Sequence, residues 1–109
     1  MRIETYRQDG STVLRLHGFL AGADADAMKE HLAKLPESDP VGLDVTGILL
    51  VDSRGLEALV DSAEGMIRRG QALRLLGKNP LLFEILELTE LASLFEVRRE
   101  PEPALEKRE

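Results

Sequence analysis

The stretch from Val41 to Arg68 constrains the fold more than any other, because its hydrophobic period changes in the middle. Val41, Leu43 and Val45 alternate with Gly42 and Asp44, and after Thr46-Gly47 the run Ile48 to Val51 reads as the exit of a buried central strand. From Asp52-Ser53 onward the period is helical. Leu56, Leu59, Val60, Ala63 and Ile67 trace one face, Glu57, Asp61, Glu64 and Arg68 fall on polar faces, and Gly70 closes the helix. A strand feeding directly into a helix commits the chain to an α/β arrangement. It also sets the Ser53 hydroxyl at a helix N-terminus, where free N–H groups and the helix dipole receive negative charge.

The flanking segments fill in the rest of the sheet. Residues 3 to 8 and 12 to 17 alternate apolar and polar side chains around Asp9-Gly10, the signal of a tight hairpin, with His17 ending the second strand. Ala25, Met28, Leu32 and Leu35 recur at helical spacing, with Asp24 as the expected cap and Pro36 as the stop. Ala72 to Leu76 reads as a short strand, and Asn79-Pro80 opens a third helix in which Leu82, Phe83, Ile85 and Leu86 are expected to be heavily buried. Leu94 to Val97 adds a last strand. The expected fold is a mixed β-sheet that opens with an antiparallel hairpin and is covered by α-helices, over residues 1–98. Residues 99–109 are expected to form a charged, mobile tail.

Composition narrows the function classes. A formal charge of −6 and the lack of any Lys/Arg cluster argue against direct binding of nucleic acid. No apolar run approaches the roughly 20 residues of a bilayer span, and Met1-Arg2 runs straight into alternating Ile3-Glu4-Thr5-Tyr6, so neither membrane insertion nor a secretory leader is expected. The absence of cysteine rules out disulfides and thiolate metal sites and fits a reducing compartment, with the cytoplasm as the default.

Catalytic readings find little purchase. His17 and His31 stand alone on different elements, so no metal site is expected, and no glycine-rich phosphate loop or dinucleotide fingerprint calls for a cofactor. Asp44, Asp52 and Ser53 can converge at a strand end, yet neither a nucleophile elbow nor a Ser-His-Asp order accompanies them. A phosphoacceptor aspartate of the receiver type needs an acidic pair after the first strand, which is missing. The chain is therefore read as a non-enzyme. Asp and Ser are also preferred helix caps, and capping by itself accounts for the dipeptide Asp52-Ser53.

The string Val41-Gly42-Leu43-Asp44-Val45-Thr46-Gly47-Ile48-Leu49-Leu50-Val51-Asp52-Ser53-Arg54-Gly55-Leu56 resembles the signature of STAS domains of the anti-sigma factor antagonist type. Gly18 to Leu20 resembles the family's Gly-x-Leu, and Leu73 to Gly77 with Pro80 to Leu91 resembles its closing strand and helix. The resemblance implies that Ser53 is a regulatory phosphoacceptor within a partner surface of Asp52, Ser53, Arg54, Gly55, Leu56 and Glu57. It implies that the unphosphorylated form binds an anti-sigma factor that is itself a serine kinase and so regulates transcription by a sigma factor. Phosphorylation ends that association, and a serine phosphatase restores Ser53. An accessory subunit docked on the ATPase of an ABC lipid transporter is the alternative, and a scaffold in a stress-sensing assembly a third. Two positions depart from the family pattern. Ala21 stands where Asp is usual, and Arg54 stands where a small residue usually follows the phosphoacceptor, able either to pair with the phosphate or to select a different partner.

Overall fold

The computed structural model describes residues 1–36 and 39–98, so the tail expected at 99–109 lies outside the described residues. The chain runs β1 (Arg2–Gln8), β2 (Ser11–Leu20), α1 (Gly22–Ala33), β3 (Val41–Val51), α2 (Ser53–Arg68), β4 (Leu73–Leu76), α3 (Pro80–Leu88), a 3₁₀ turn (Ala92–Leu94) and β5 (Phe95–Arg98). The strands form one sheet in sequence order, β1 antiparallel to β2 and every later neighbour parallel. This is the expected mixed sheet with an opening hairpin. Asp9 and Gly10 take φ values of 53° and 80°, the left-handed pair that a two-residue hairpin turn requires.

Each parallel step crosses over through one helix and advances in the same direction along the sheet. Right-handed crossovers therefore bring all three helices to the same face. Leu14, Leu16, Leu43, Val45, Leu73 and Leu75 point into that layer and meet Met28, Leu59, Ala63, Leu82 and Leu86 from the helices. Each fully buried leucine contributes about 2 kcal/mol. The opposite face carries a charge ladder instead: Glu4 pairs in register with Arg15, and Arg15 with Asp44, its Nε 3.3 Å from the carboxylate. Arg15 also lies 5.1 Å from the Tyr6 ring centre. Val13, only 1% exposed, is sealed on this face in the row between Tyr6 and Gly42 and takes no part in the main core.

Several sequence expectations need correction. β2 does not end at His17 but continues to Leu20, through register shifts against β3. β4 begins at Leu73 and leaves Ala72 exposed, and Leu94 belongs to the 3₁₀ turn. Asp24 does not cap α1; the N-cap position is Ala21, which offers no side-chain bond, while Asp24 sits in the first turn 3.1 Å from the Met1 amino group. On α2 the buried face is Gly55, Ala58, Leu59, Ala63 and Met66, so Ile67 is exposed and Leu56 and Val60 are only half-buried. The buried face includes Gly55, whose missing side chain allows close approach to the Leu20 carbonyl, and a count of large apolar side chains misses Gly55 and Ala58. Ile85 is likewise half-buried, whereas Leu82, Phe83 and Leu86 are buried as expected.

The end of β3 departs most. Ile48 is buried, but Leu49 and Leu50 are 71% and 47% exposed. β4 pairs with β3 only at Gly42 to Asp44, so the last residues of β3 run beyond that neighbour and have β2 as their one strand partner. Leu49 and Leu50, at the end of this overhang, are left largely open to solvent while Ile48 and Val51 still reach the core.

Candidate functional site

Ser53 is the first residue of α2, and the residue before it does the capping. Asp52 takes an extended conformation, and its Oδ1 accepts the Gly55 N–H at 2.7 Å. Its second oxygen, Oδ2, accepts the N–H of Gly22, the first residue of α1, at 3.2 Å. One carboxylate thus serves two helix N-termini, giving α1 a side-chain acceptor where Ala21 offers none. The Asp52 N–H in turn reaches back to the Leu20 carbonyl at 3.3 Å, pinning the turn to the end of β2.

Gly55 explains how the helix can start so close to the sheet. A β-carbon there would fall 1.9 Å from the Leu20 carbonyl oxygen, far inside contact distance, so only glycine fits. Gly55 is buried and positions the site without presenting itself to a partner, unlike the exposed Asp52, Ser53, Arg54 and Glu57. Leu56 is half-buried and packs against the core.

The dipeptide Asp52-Ser53 therefore divides its labour. Capping needs Asp52, and among the described residues no hydrogen bond engages the exposed Ser53 hydroxyl. Arg54 extends across the helix pair and bonds Asp26 of α1. Further along the same seam Lys29 of α1 meets Asp61 of α2 at 3.2 Å.

Beside this turn lies an apolar crest. Phe19 and Leu50 are register partners, both exposed, and Leu49, Leu50, Val51, Leu81 and Ile85 line a cavity of about 210 Å³ between the end of β3 and α3. Asn79 also lines it. The side chain accepts the Leu82 N–H at 3.1 Å as the expected cap, and its amide donates to the carbonyls of Val45 and Ile48 at 2.8 and 3.1 Å, clamping α3 to β3. On the other side, Ser53, Leu56, Glu57, Val60, Asp61 and Leu91 line an open groove along α2. Val51 and Ser53, two residues apart, border the cavity and the groove respectively. Phe19, Leu49, Leu50 and Leu81 were absent from the expected partner surface, and only their apolar character in a chain poor in aromatics marked them.

Other polar groups remain dispersed. His17 lies 3.4 Å from Glu4 on the open sheet face, and His31 lies 3.0 Å from the Thr5 hydroxyl. Asp44 accepts from Thr46 N–H and pairs with Arg15, away from Asp52 and Ser53. Among the described residues no three histidine or acidic side chains gather to hold a metal ion, and no helix is long and apolar enough to cross a membrane.

The five-stranded sheet with one antiparallel edge and three helices is an α/β fold of the STAS class. A family model described as "Mlab, STAS domain" matches residues 3–96, and the chain belongs to that family. No curated protein matches. Among solved structures, an anti-sigma factor antagonist from Mycobacterium paratuberculosis aligns with a TM-score of 0.75 at 19% identity, over 99% of this chain and 94% of that one. The Bacillus antagonist SpoIIAA aligns in its unphosphorylated form with a TM-score of 0.71 at 12% identity, over 98% of this chain and 96% of that one. Its phosphorylated form gives 0.71 at 13% identity, over 98% of both chains. At these identities the likeness is one of fold.

Proposed function

We propose that the chain is a non-enzymatic, cytoplasmic anti-sigma factor antagonist whose hold on an anti-sigma factor serine kinase is switched by phosphorylation of Ser53. The observation that carries this reading is the exposed Ser53 hydroxyl, free of any capping duty, at the start of a helix already capped by Asp52. A kinase can reach it without opening the fold. The Ser53 oxygen would attack the γ-phosphorus of ATP as the bond to ADP breaks, its proton passing to a base of the kinase. Phosphoserine carries roughly −1.5 to −2 charge at neutral pH. Beside Asp52 and Glu57, and next to an apolar crest, that charge opposes a partner fitted to a neutral hydroxyl, at a cost on the order of several kcal/mol. The dipole of α2 offsets part of the burden on the fold itself. A serine phosphatase would reset the switch.

Incubation with a candidate anti-sigma kinase, ATP and magnesium should add one phosphoryl group to the wild type and none to Ser53→Ala by intact mass. Release of the kinase from the phosphorylated form should follow in a pull-down. No gain on the wild type, or equal gain on Ser53→Ala, would sink the Ser53 switch.

The apolar crest favours a second reading, a subunit docked on the ATPase of an ABC lipid transporter. Phe19, Leu49, Leu50 and Leu81 offer a permanent contact that no phosphate needs to control. Stable co-purification with such an ATPase, lost in Leu49→Asp and unaffected by Ser53→Asp, would favour this reading over the first.

A further inference from the structure

We propose that Arg54 reads the phosphate on Ser53 and that Asp26 holds Arg54 until the phosphate arrives. The inference rests on the reading of Ser53 as a phosphoacceptor and adds how its charge is carried into the neighbouring helix. In the unmodified chain the Arg54 guanidinium bonds the Asp26 carboxylate, 28 residues away in sequence and across the α1–α2 seam. Both side chains are more than half exposed, at 57% and 53%, so water weakens the pair and little holds Arg54 in place. Ser53 directly precedes Arg54 in the first turn of α2. A phosphate there offers three acceptor oxygens and close to twice the charge of a carboxylate, and guanidinium pairs with it in two-pronged fashion.

The other acidic neighbours do not compete equally. Asp52 already spends both oxygens on the N–H groups of Gly55 and Gly22. Glu57 lies one turn further along α2, and Asp61 is engaged by Lys29. Asp26 is therefore the group that loses its partner. Phosphorylation would release Asp26 as a bare charge on α1 while the buried packing of the two helices, through Ala25, Met28, Leu59 and Ala63, keeps them together. The signal then appears at two places on the surface, the phosphate on α2 and the freed carboxylate on α1, and Arg54 moderates the first while creating the second.

The test installs phosphoserine at position 53 during translation, so that it needs no kinase. The second ionisation of the phosphate is then titrated by phosphorus NMR in four backgrounds: wild type, Arg54→Ala, Asp26→Asn and the double variant. Both substituted positions are exposed and outside the core. The wild-type ionisation should lie below that of Arg54→Ala by on the order of half a unit, as for a phosphate with a nearby but hydrated cation. Asp26→Asn should lower it further while Arg54 is present, and by less than half as much when Arg54 is absent. In parallel, the Arg54 Nε resonance should shift between the unmodified and phosphoserine proteins. Equal ionisation in wild type and Arg54→Ala, an Asp26→Asn effect independent of Arg54, or an unmoved Nε resonance would each overturn the proposal. A chain that no kinase modifies would still give these readings, so failure of the phosphoacceptor assignment is told apart from failure of the Arg54 relay.

Discussion

The starts of α1 and α2 lie side by side, yet they are built on opposite plans. α2 has its own cap in Asp52 and begins directly after the central strand. α1 has Ala21 at the corresponding position and no side-chain bond of its own, and it borrows Asp52 from its neighbour. The difference teaches that the two helix starts form a coupled unit. One carboxylate sets the geometry of both helices, Gly55 lets that unit sit against the end of β2, and Ser53 stands in the middle with no structural duty.

That contrast can be broken most severely at Gly55. Gly55→Ala drives a methyl into the Leu20 carbonyl and should cost about 3 kcal/mol, the upper part of the overpacking range, read as a lowered urea midpoint. Next comes Asp52→Ala, which removes a cap from each helix and should cost about 2 kcal/mol, with faster amide exchange at both Gly22 and Gly55. Asp52→Asn sharpens the comparison, since an amide has one acceptor oxygen where two N–H groups need one each. It should cost about 1 kcal/mol and leave one of these two amides protected while the other exchanges faster. Ala21→Ser gives α1 a cap of its own, with the hydroxyl placed to accept from the N–H of Ala23 or Asp24, and should stabilise by roughly 0.5 kcal/mol in thermal melts. Smallest is Ser53→Ala, expected within about 0.5 kcal/mol of the wild type. A larger loss there would mean that Ser53 shares the capping load and is less free to act as a switch.

The order of elements was legible because each carried its own period and punctuation. Asp9-Gly10 supplied the hairpin turn, Asn79-Pro80 the start of α3, and Gly70 the end of α2. What failed were readings that treated apolar character as burial. Leu49, Leu50 and Ile67 are apolar and exposed, whereas Gly55 and Ala58 are small and buried, because burial depends on which element passes overhead and how closely. The cap of α1 failed for a related reason. Asp24 had the right chemistry near the helix start, but the carboxylate that reaches Gly22 comes from 30 residues further along the chain.

By itself, the sequence determined the strand-to-helix break at Asp52-Ser53, the hairpin and the α/β class, since periodicity and turn chemistry act over a few neighbouring residues. Only the tertiary structure decided that Asp52 caps two helices, that Arg54 rests on Asp26, and that Phe19, Leu49, Leu50 and Leu81 form a crest beside Ser53. Those relations depend on lengths and crossings. β3 outruns β4 and leaves its end uncovered, and the right-handed crossovers bring α1 and α2 together at one edge of the site, a juxtaposition that no local pattern encodes.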